Sequence, residues 1–307
     1  MKVAFFGTPE FAVPSLAALL DGGFEVPLVV TQPDKPVGRH AEVRPSPVAA
    51  LAALRGIPVA KPEKIRGNAA FLDQLSDARP DAAAVVAYGR LLPREVLDLP
   101  RLGCVNVHAS LLPRHRGASP VQAAILAGDR VTGVVTMRIE ETLDAGPIYL
   151  ERRVAIGPRE NAGELSERLA REGAVLLVET LRRLGSGDLR ARPQAGEPTV
   201  CKPIRRDDGR IEWERPADEI ERRLRAFTPW PGVFAFLGKE RIKVLDAESV
   251  PDRSGDPPGT LVARDGAAAA VAGQGSALRL LKVQRAGRKP ISGEEFLRGL
   301  ALPARLL

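Results

Sequence analysis

Apolar residues in the first half of the chain fall into short runs separated by helical spacings. Lys2–Phe6 is one such run, ending at Gly7, and Phe11, Leu16, Leu19 and Leu20 then share one face of a helix predicted over 10–20. Strand-like runs at 24–31, 57–60, 82–87 and 104–108 alternate with helical patterns at 47–55 and 68–75 and with a short segment at 96–99. That alternation predicts an α/β domain built on a doubly wound (Rossmann-like), mostly parallel sheet. Ligands of such sheets bind beyond the carboxyl ends of the strands, where Tyr88-Gly89 and Val107-His108 fall.

A helix is expected at 120–127, strands at 133–138 and 148–154, and a long amphipathic helix at 162–184, stopped by Gly185-Ser186-Gly187. Pro193, Gly196, Pro198 and Pro203 mark 188–204 as a linker. Beyond it the periodicity changes. A helix at 217–226 precedes short β-like runs at 233–237, 242–247, 259–262, 267–271 and 278–283, the pattern of a small β-barrel. The expected organisation is therefore a catalytic domain at 1–187, the linker, and a smaller domain at 205–307, in keeping with a 307-residue chain. Trp213, three residues before Pro216, and Trp230, between Pro229 and Pro231, are expected in the core or at a domain interface.

Composition narrows the function more than the fold. Apolar residues make up 44% and charged residues 27%, ordinary for a soluble globular protein. No apolar run is long enough for a signal-peptide core or a membrane span, so a cytoplasmic protein with no membrane partner is expected. Cys104 and Cys201 have no ligand spacing, and His40, His108 and His115 are the whole histidine supply, which argues against a disulfide framework or a metal site. The net charge of +7 permits a polyanionic partner and equally permits an ordinary arginine-rich surface. Gly7-Thr8-Pro9 after the first strand lacks both the further glycines of a dinucleotide fingerprint and a P-loop lysine, so a nicotinamide cofactor is not expected.

The most informative stretch is Gly103–Gly117. Side chains alternate along a strand, so Asn106 and His108 project from one face near its carboxyl end. Two polar side chains on an otherwise apolar central strand are unfavourable unless partnered or used. Geometry alone leaves both readings open, a histidine satisfied by its neighbours or a site. Cys104 shares that face further back, where packing is the simpler role.

Asn106-x-His108, then Ser110-Leu111-Leu112-Pro113 and Arg116-Gly117, then Asp144 within Glu141–Gly146, resembles the folate-dependent formyltransferase superfamily. The resemblance implies Asn106, His108 and Asp144 as the catalytic set and 10-formyltetrahydrofolate as formyl donor, contacted by the Ser110–Pro113 loop, with no metal. In that chemistry an amine attacks the formyl carbon, and Asn106 and His108 donate hydrogen bonds to the developing oxyanion. Asp144 would favour a protonated His108 and relay a proton toward the leaving nitrogen. Tyr88, Gly89 and Leu91, in the loop after the 82–87 strand, resemble the family's pterin wall, although a core role for Leu91 and Leu92 fits equally well.

Two further stretches resemble the branch of the superfamily whose acceptor is initiator methionyl-tRNA. The Pro-rich insertion Thr31–Arg39, closing at Pro45-Ser46-Pro47, carries Arg39 and Arg44 as candidate tRNA contacts. Thr199–Ile204, Gly209–Trp213 and Arg225–Gly232 extend the resemblance through the C-terminal part, which it implies to be an OB-like barrel that contacts tRNA. That part holds 19 Lys/Arg against 15 Asp/Glu, and Arg279, Lys282, Arg285, Arg288 and Lys289 cluster within it. Lys282, Arg285, Arg288 and Lys289 are the candidate phosphate contacts there, against the alternative of a solvated basic face. A monomer is expected, with tetrahydrofolate as product. The competing readings are a formyltransferase for a nucleotide-sugar amine, a hydrolase that releases formate, and an RNA-binding module without catalysis.

Overall fold

The computed structural model describes residues 1–37, 42–301 and 304–307. Two compact units emerge: residues 1–120, 131–155 and 166–202 form the first, and residues 121–130, 156–165 and 203–307 the second.

In the first unit, β1 (Val3–Gly7) leads through one 3-10 turn at Glu10–Ala12 into α1 (Val13–Asp21). β2 (Val29–Val30) is much shorter than the 24–31 run, because Pro27 has no N–H to give a ladder and pairing begins beyond it. A hairpin absent from the sequence reading follows, β3 (Lys35–Val37) pairing antiparallel with β4 (Glu42–Arg44). The Ser46 hydroxyl then accepts the Ala49 N–H at 3.1 Å to cap α2 (Pro47–Leu54), whose first residue is a proline. β5 (Val59–Ala60), α3 (Ala69–Asp77), β6 (Ala82–Val86), α4 (Arg94–Leu97) and β7 (Cys104–His108) complete the alternation. Next along the chain come β8 (Arg116–Gly117), α5 (Pro120–Leu126), β9 (Val131–Arg138), β10 (Ile148–Ala155), α6 (Ala162–Ser186) and β11 (Val200–Cys201), of which α5 from residue 121 and α6 up to residue 165 are counted with the second unit.

The main sheet runs β10-β9-β7-β6-β1-β2-β5. It is parallel from β7 outward to β5, while β9 and β10 are antiparallel additions on the other edge. β1 and β6 are buried along their whole length, which is why they read as unbroken apolar runs. A Cβ on Gly173 of α6 would come within 2.7 Å of a Val107 methyl, so glycine there lets the helix approach the sheet at β7.

The 188–204 stretch, with the composition of a linker, lies along the first unit through residue 202. Arg192 exchanges two backbone hydrogen bonds with Ile148 at 2.8 Å, and β11 pairs in parallel with β8. Prolines at 193 and 198 are compatible with such edge pairing because each side of the bridge uses the N–H of a neighbouring residue.

In the second unit, α7 (Ala217–Ala226) precedes β12 (Val233–Leu237), β13 (Glu240–Pro251), β14 (Thr260–Arg264), β15 (Ala267–Ala272), β16 (Ser276–Arg285), β17 (Ile291–Ser292), α8 (Gly293–Arg298) and β18 (Ala304–Arg305). The antiparallel sheet β12-β13-β16-β15-β14-β18 curls until Phe236 and Leu307 exchange two 2.8 Å backbone bonds, giving the OB-like barrel. The alanine run of β15 is buried throughout, and its small side chains admit α8, where a Cβ on Gly293 would lie 3.4 Å from the Ala267 methyl and 1.7 Å from the Leu280 carbonyl. Trp213 belongs to the core, whereas Trp230 is 53% exposed, contrary to a core placement.

Candidate active site

β7 carries the site because it is the last parallel strand before the sheet changes direction. Asn106 sits between Val85 of β6 and Met137 of β9, and His108 ends the strand opposite Val135. The Asn106 side chain is half-buried and makes no hydrogen bond among the described residues. Its amide is therefore available to a ligand oxygen.

His108 is buried, with Nε2 at 3.0 Å from the His115 carbonyl and Nδ1 at 3.7 Å from Asp144 Oδ2. A carbonyl can only accept, so Nε2 carries the hydrogen. Burial lowers the His108 pKa below its ordinary 6.5, outweighing the opposing pull of Asp144 and of the His115 hydrogen bond. The ring is then neutral near pH 7, with a bare Nδ1 beside the carboxylate. Asp144 thus favours the protonated ring, and burial opposes it more strongly. In this structure the Nε2 hydrogen is directed at the His115 carbonyl.

Asp144 is brought to this point by the loop after β9. Its backbone has φ +50°, a region costing a non-glycine residue on the order of 1 kcal/mol unless its surroundings enforce it. The surroundings do so here. Oδ2 accepts the Gly117 N–H at 2.8 Å, and Gln194 Nε2 donates to both the Asp144 and Gly146 carbonyls at 2.8 Å. Gly146 must be glycine, since a Cβ would stand 1.9 Å from the Arg138 carbonyl. The His115–Gly117 segment is fixed in turn by Thr199, whose hydroxyl accepts the His115 N–H at 2.8 Å, and by the Cys201 thiol 3.2 Å from the Arg116 carbonyl.

Gln194, Thr199 and Cys201 were missed as site residues because their segment reads as a linker. The one sequence signal, Thr199-Val200-Cys201 as part of the extended resemblance, pointed to the acceptor and not to the catalytic set.

The expected folate loops divide. The Ser110 hydroxyl donates to the Arg114 carbonyl at 2.6 Å, and Leu112 packs in a cluster with Val135, Met137 and Ile148. Leu111 is half-buried against Gly133, and Pro113 is buried. The side chains of Ser110 and Leu112 are thus committed internally. The Tyr88 ring turns into the core against Phe6, edge to face at 5.5 Å, so this side chain is not part of a ligand wall. Its carbonyl accepts from Gln32 and Thr8, and Gly89 takes φ +79°, a conformation that favours glycine. Leu91 is 72% exposed while Leu92 is buried, so only Leu91 offers apolar surface there; Leu143, next to Asp144, offers more.

Of the expected tRNA contacts, Arg39 lies outside the described residues, and Arg44 is exposed on β4. Arg285 is held in a two-pronged pair by Glu240, whose hydrogen bonds raise the Arg285 pKa. Arg279 is likewise paired, with Asp265 at 2.9 Å and with Glu248. Lys282, Arg288 and Lys289 are exposed without an ion pair among the described residues. Arg288 and Lys289 line a cleft of ≈ 520 Å³ with Glu240, Arg285 and Ile291. No group of three or more His, Cys, Asp or Glu among the described residues is placed to hold a metal, and no described helix is long and apolar enough to cross a membrane.

An unengaged amide, a buried imidazole and a clamped carboxylate thus meet at the carboxyl end of β7, inside a Rossmann-like sheet, an arrangement suited to stabilising a tetrahedral intermediate. Residues 1–181 match the formyl transferase family and residues 203–301 its C-terminal domain, and the chain belongs to that family. It is 46% identical to a methionyl-tRNA formyltransferase from Aromatoleum aromaticum over 99% of this chain and 96% of that one. Its fold is similar to that of a methionyl-tRNA formyltransferase from Clostridium thermocellum, with a TM-score of 0.56 at 15% identity over 83% of this chain and 95% of that one. An N-formyltransferase from Helicobacter canadensis, solved with folinic acid and dTDP-3-aminofucose, gives a TM-score of 0.65 at 17% identity over 91% of this chain and 98% of that one.

Proposed function

We propose that the chain transfers the formyl group of 10-formyltetrahydrofolate to the amino group of initiator methionyl-tRNA, releasing tetrahydrofolate. The observation that carries this reading is the unengaged Asn106 amide on the same strand face as His108, whose free Nδ1 stands 3.7 Å from Asp144. Near-full-length likeness to methionyl-tRNA formyltransferases supports the acceptor.

The acceptor nitrogen attacks the formyl carbon, and the carbonyl oxygen gains negative charge that the Asn106 N–H stabilises. The proton shed by that nitrogen passes to His108 Nδ1. The resulting imidazolium has an acceptor at each nitrogen, the His115 carbonyl and the Asp144 carboxylate. As the bond to N10 breaks, the same proton moves to N10. A low-pKa histidine suits this shuttle, because it is neutral when the amine attacks and releases its proton readily afterwards. Exposed Leu91 and Leu143 supply apolar surface for the folate, and the loops 88–93 and 110–113 supply mainly backbone groups. Arg288, Lys289 and Lys282 are the cations left to meet tRNA phosphates. Because every catalytic group comes from one chain, a monomer suffices, and the reaction belongs to cytoplasmic translation initiation. The test is transfer of labelled formyl into charged initiator tRNA, compared with an amino sugar nucleotide and with release of free formate.

A further inference from the structure

We propose that Gln194 is a positioning residue that sets the orientation of Asp144, so that the linker-like stretch 188–202 of the first unit takes part in formyl transfer. This rests on the catalytic role given to Asp144 above. Gln194 occupies the centre of a closed ring of bonds. Its Nε2 donates to the carbonyls of Asp144 and Gly146 at 2.8 Å, and its Oε1 accepts from Arg116 Nε at 3.1 Å and Nη2 at 2.6 Å. Arg116 is the first residue of β8, and the next residue, Gly117, donates its N–H to Asp144 Oδ2 at 2.8 Å. The backbone and the carboxylate of Asp144 are therefore tied to the same short strand, the backbone through Gln194 and the carboxylate directly.

The chemistry of the position is specific to an amide. It requires two N–H donors toward two carbonyls and one oxygen that accepts twice from a guanidinium. A glutamate would face two carbonyl oxygens with a third oxygen, and a lysine would lose the acceptor for Arg116. The loop it holds has little strength of its own, since Asp144 sits at φ +50° and Gly146 accepts no side chain. β8, the other side of the ring, is paired with β11, six residues beyond Gln194. The same segment thus fixes both halves of the clamp.

The test is a mutant cycle on the full chain with 10-formyltetrahydrofolate and methionyl-tRNA. Gln194→Met and Gln194→Glu are made singly and in the Asp144→Ala background, and thermal melting is followed for each. A displaced catalytic group costs on the order of ten- to hundredfold, so kcat is expected to fall by that factor, with both KM values within about threefold of wild type. In the Asp144→Ala background the Gln194 substitutions are expected to add nothing to the residual rate, because the group they position is gone. Gln194→Glu keeps the volume and the Arg116 partner, so it gives the answer if Gln194→Met fails to fold. Wild-type kcat in either folded variant, or losses that multiply with that of Asp144→Ala, would overturn the proposal. If the wild-type chain leaves methionyl-tRNA unformylated, the acceptor reading falls instead, and the same cycle is read on formate release from 10-formyltetrahydrofolate.

Discussion

Replacing Asp144 with asparagine removes one negative charge while keeping the shape of the side chain and an oxygen for the Gly117 N–H. The carboxylate oxygen stands 3.7 Å from His108 Nδ1 and is 12% exposed. At that separation, with an effective dielectric of about 20, it stabilises an imidazolium by roughly 4 kcal/mol, equivalent to about three decades. The Gly117 N–H draws on the same oxygen, so the full amount is not delivered to His108. The expected loss in kcat for Asp144→Asn is therefore about 10²- to 10³-fold, with folding retained. The pH profile should move as well. Asp144 is the main influence raising the His108 pKa against burial, and without it the acid limb of kcat/KM shifts to lower pH. The assay is the initial rate of labelled formyl transfer from pH 5 to 9, with thermal melting as a folding control. A folded Asp144→Asn enzyme within threefold of wild type would refute the charge argument.

Asn106→Ala should lower kcat by about 10²- to 10³-fold with little change in tRNA affinity, and wild-type turnover would remove the oxyanion role. Activity of the wild type should be on its plateau at pH 7 and fall only below 6.5, since the depressed His108 pKa makes the neutral ring the working form; a profile that falls as pH rises through that range would mean the protonated ring is required. The same depression means that acid costs stability. The unfolded chain binds the His108 proton first, so the contribution is present above pH 6.5 and lost as pH falls through the folded value, read as a declining melting temperature. Arg288→Ser with Lys289→Ser should raise KM for tRNA and flatten its salt dependence by somewhat under two in the log–log slope, leaving kcat unaltered; an unchanged slope would take these residues out of the tRNA footprint.

Much of the catalytic unit is legible in the sequence because parallel strands buried on both faces read as unbroken apolar runs. β7 shows its two polar positions against that background. Pairings between distant segments are not legible. β8 and β11 are two residues each and eighty-odd positions apart, and nothing local in Val200-Cys201 announces the partner. Gln194 was hidden by its neighbours, since Pro193, Gly196 and Pro198 make the stretch look like a linker although its backbone and side chains are engaged. The basic cluster failed in the other direction. Five cations look equivalent along the chain, and only the fold reveals that Glu240 holds Arg285 and that Glu248 and Asp265 hold Arg279. The inward turn of Tyr88 and the outward turn of Leu91 depend on how the chain leaves β6, where Ala87 takes φ +47°, a choice that side-chain type does not disclose.

The central claim is transfer to the amine of methionyl-tRNA by the Asn106, His108 and Asp144 set. It is tested most directly by single-turnover reaction of the wild-type chain with [14C]formyl-tetrahydrofolate and charged initiator tRNA, with His108→Ala run alongside. The account predicts label in N-formylmethionyl-tRNA with the wild type and loss of nearly all of it with His108→Ala. Label recovered as free formate, or a folded His108→Ala enzyme that formylates at the wild-type rate, would contradict it.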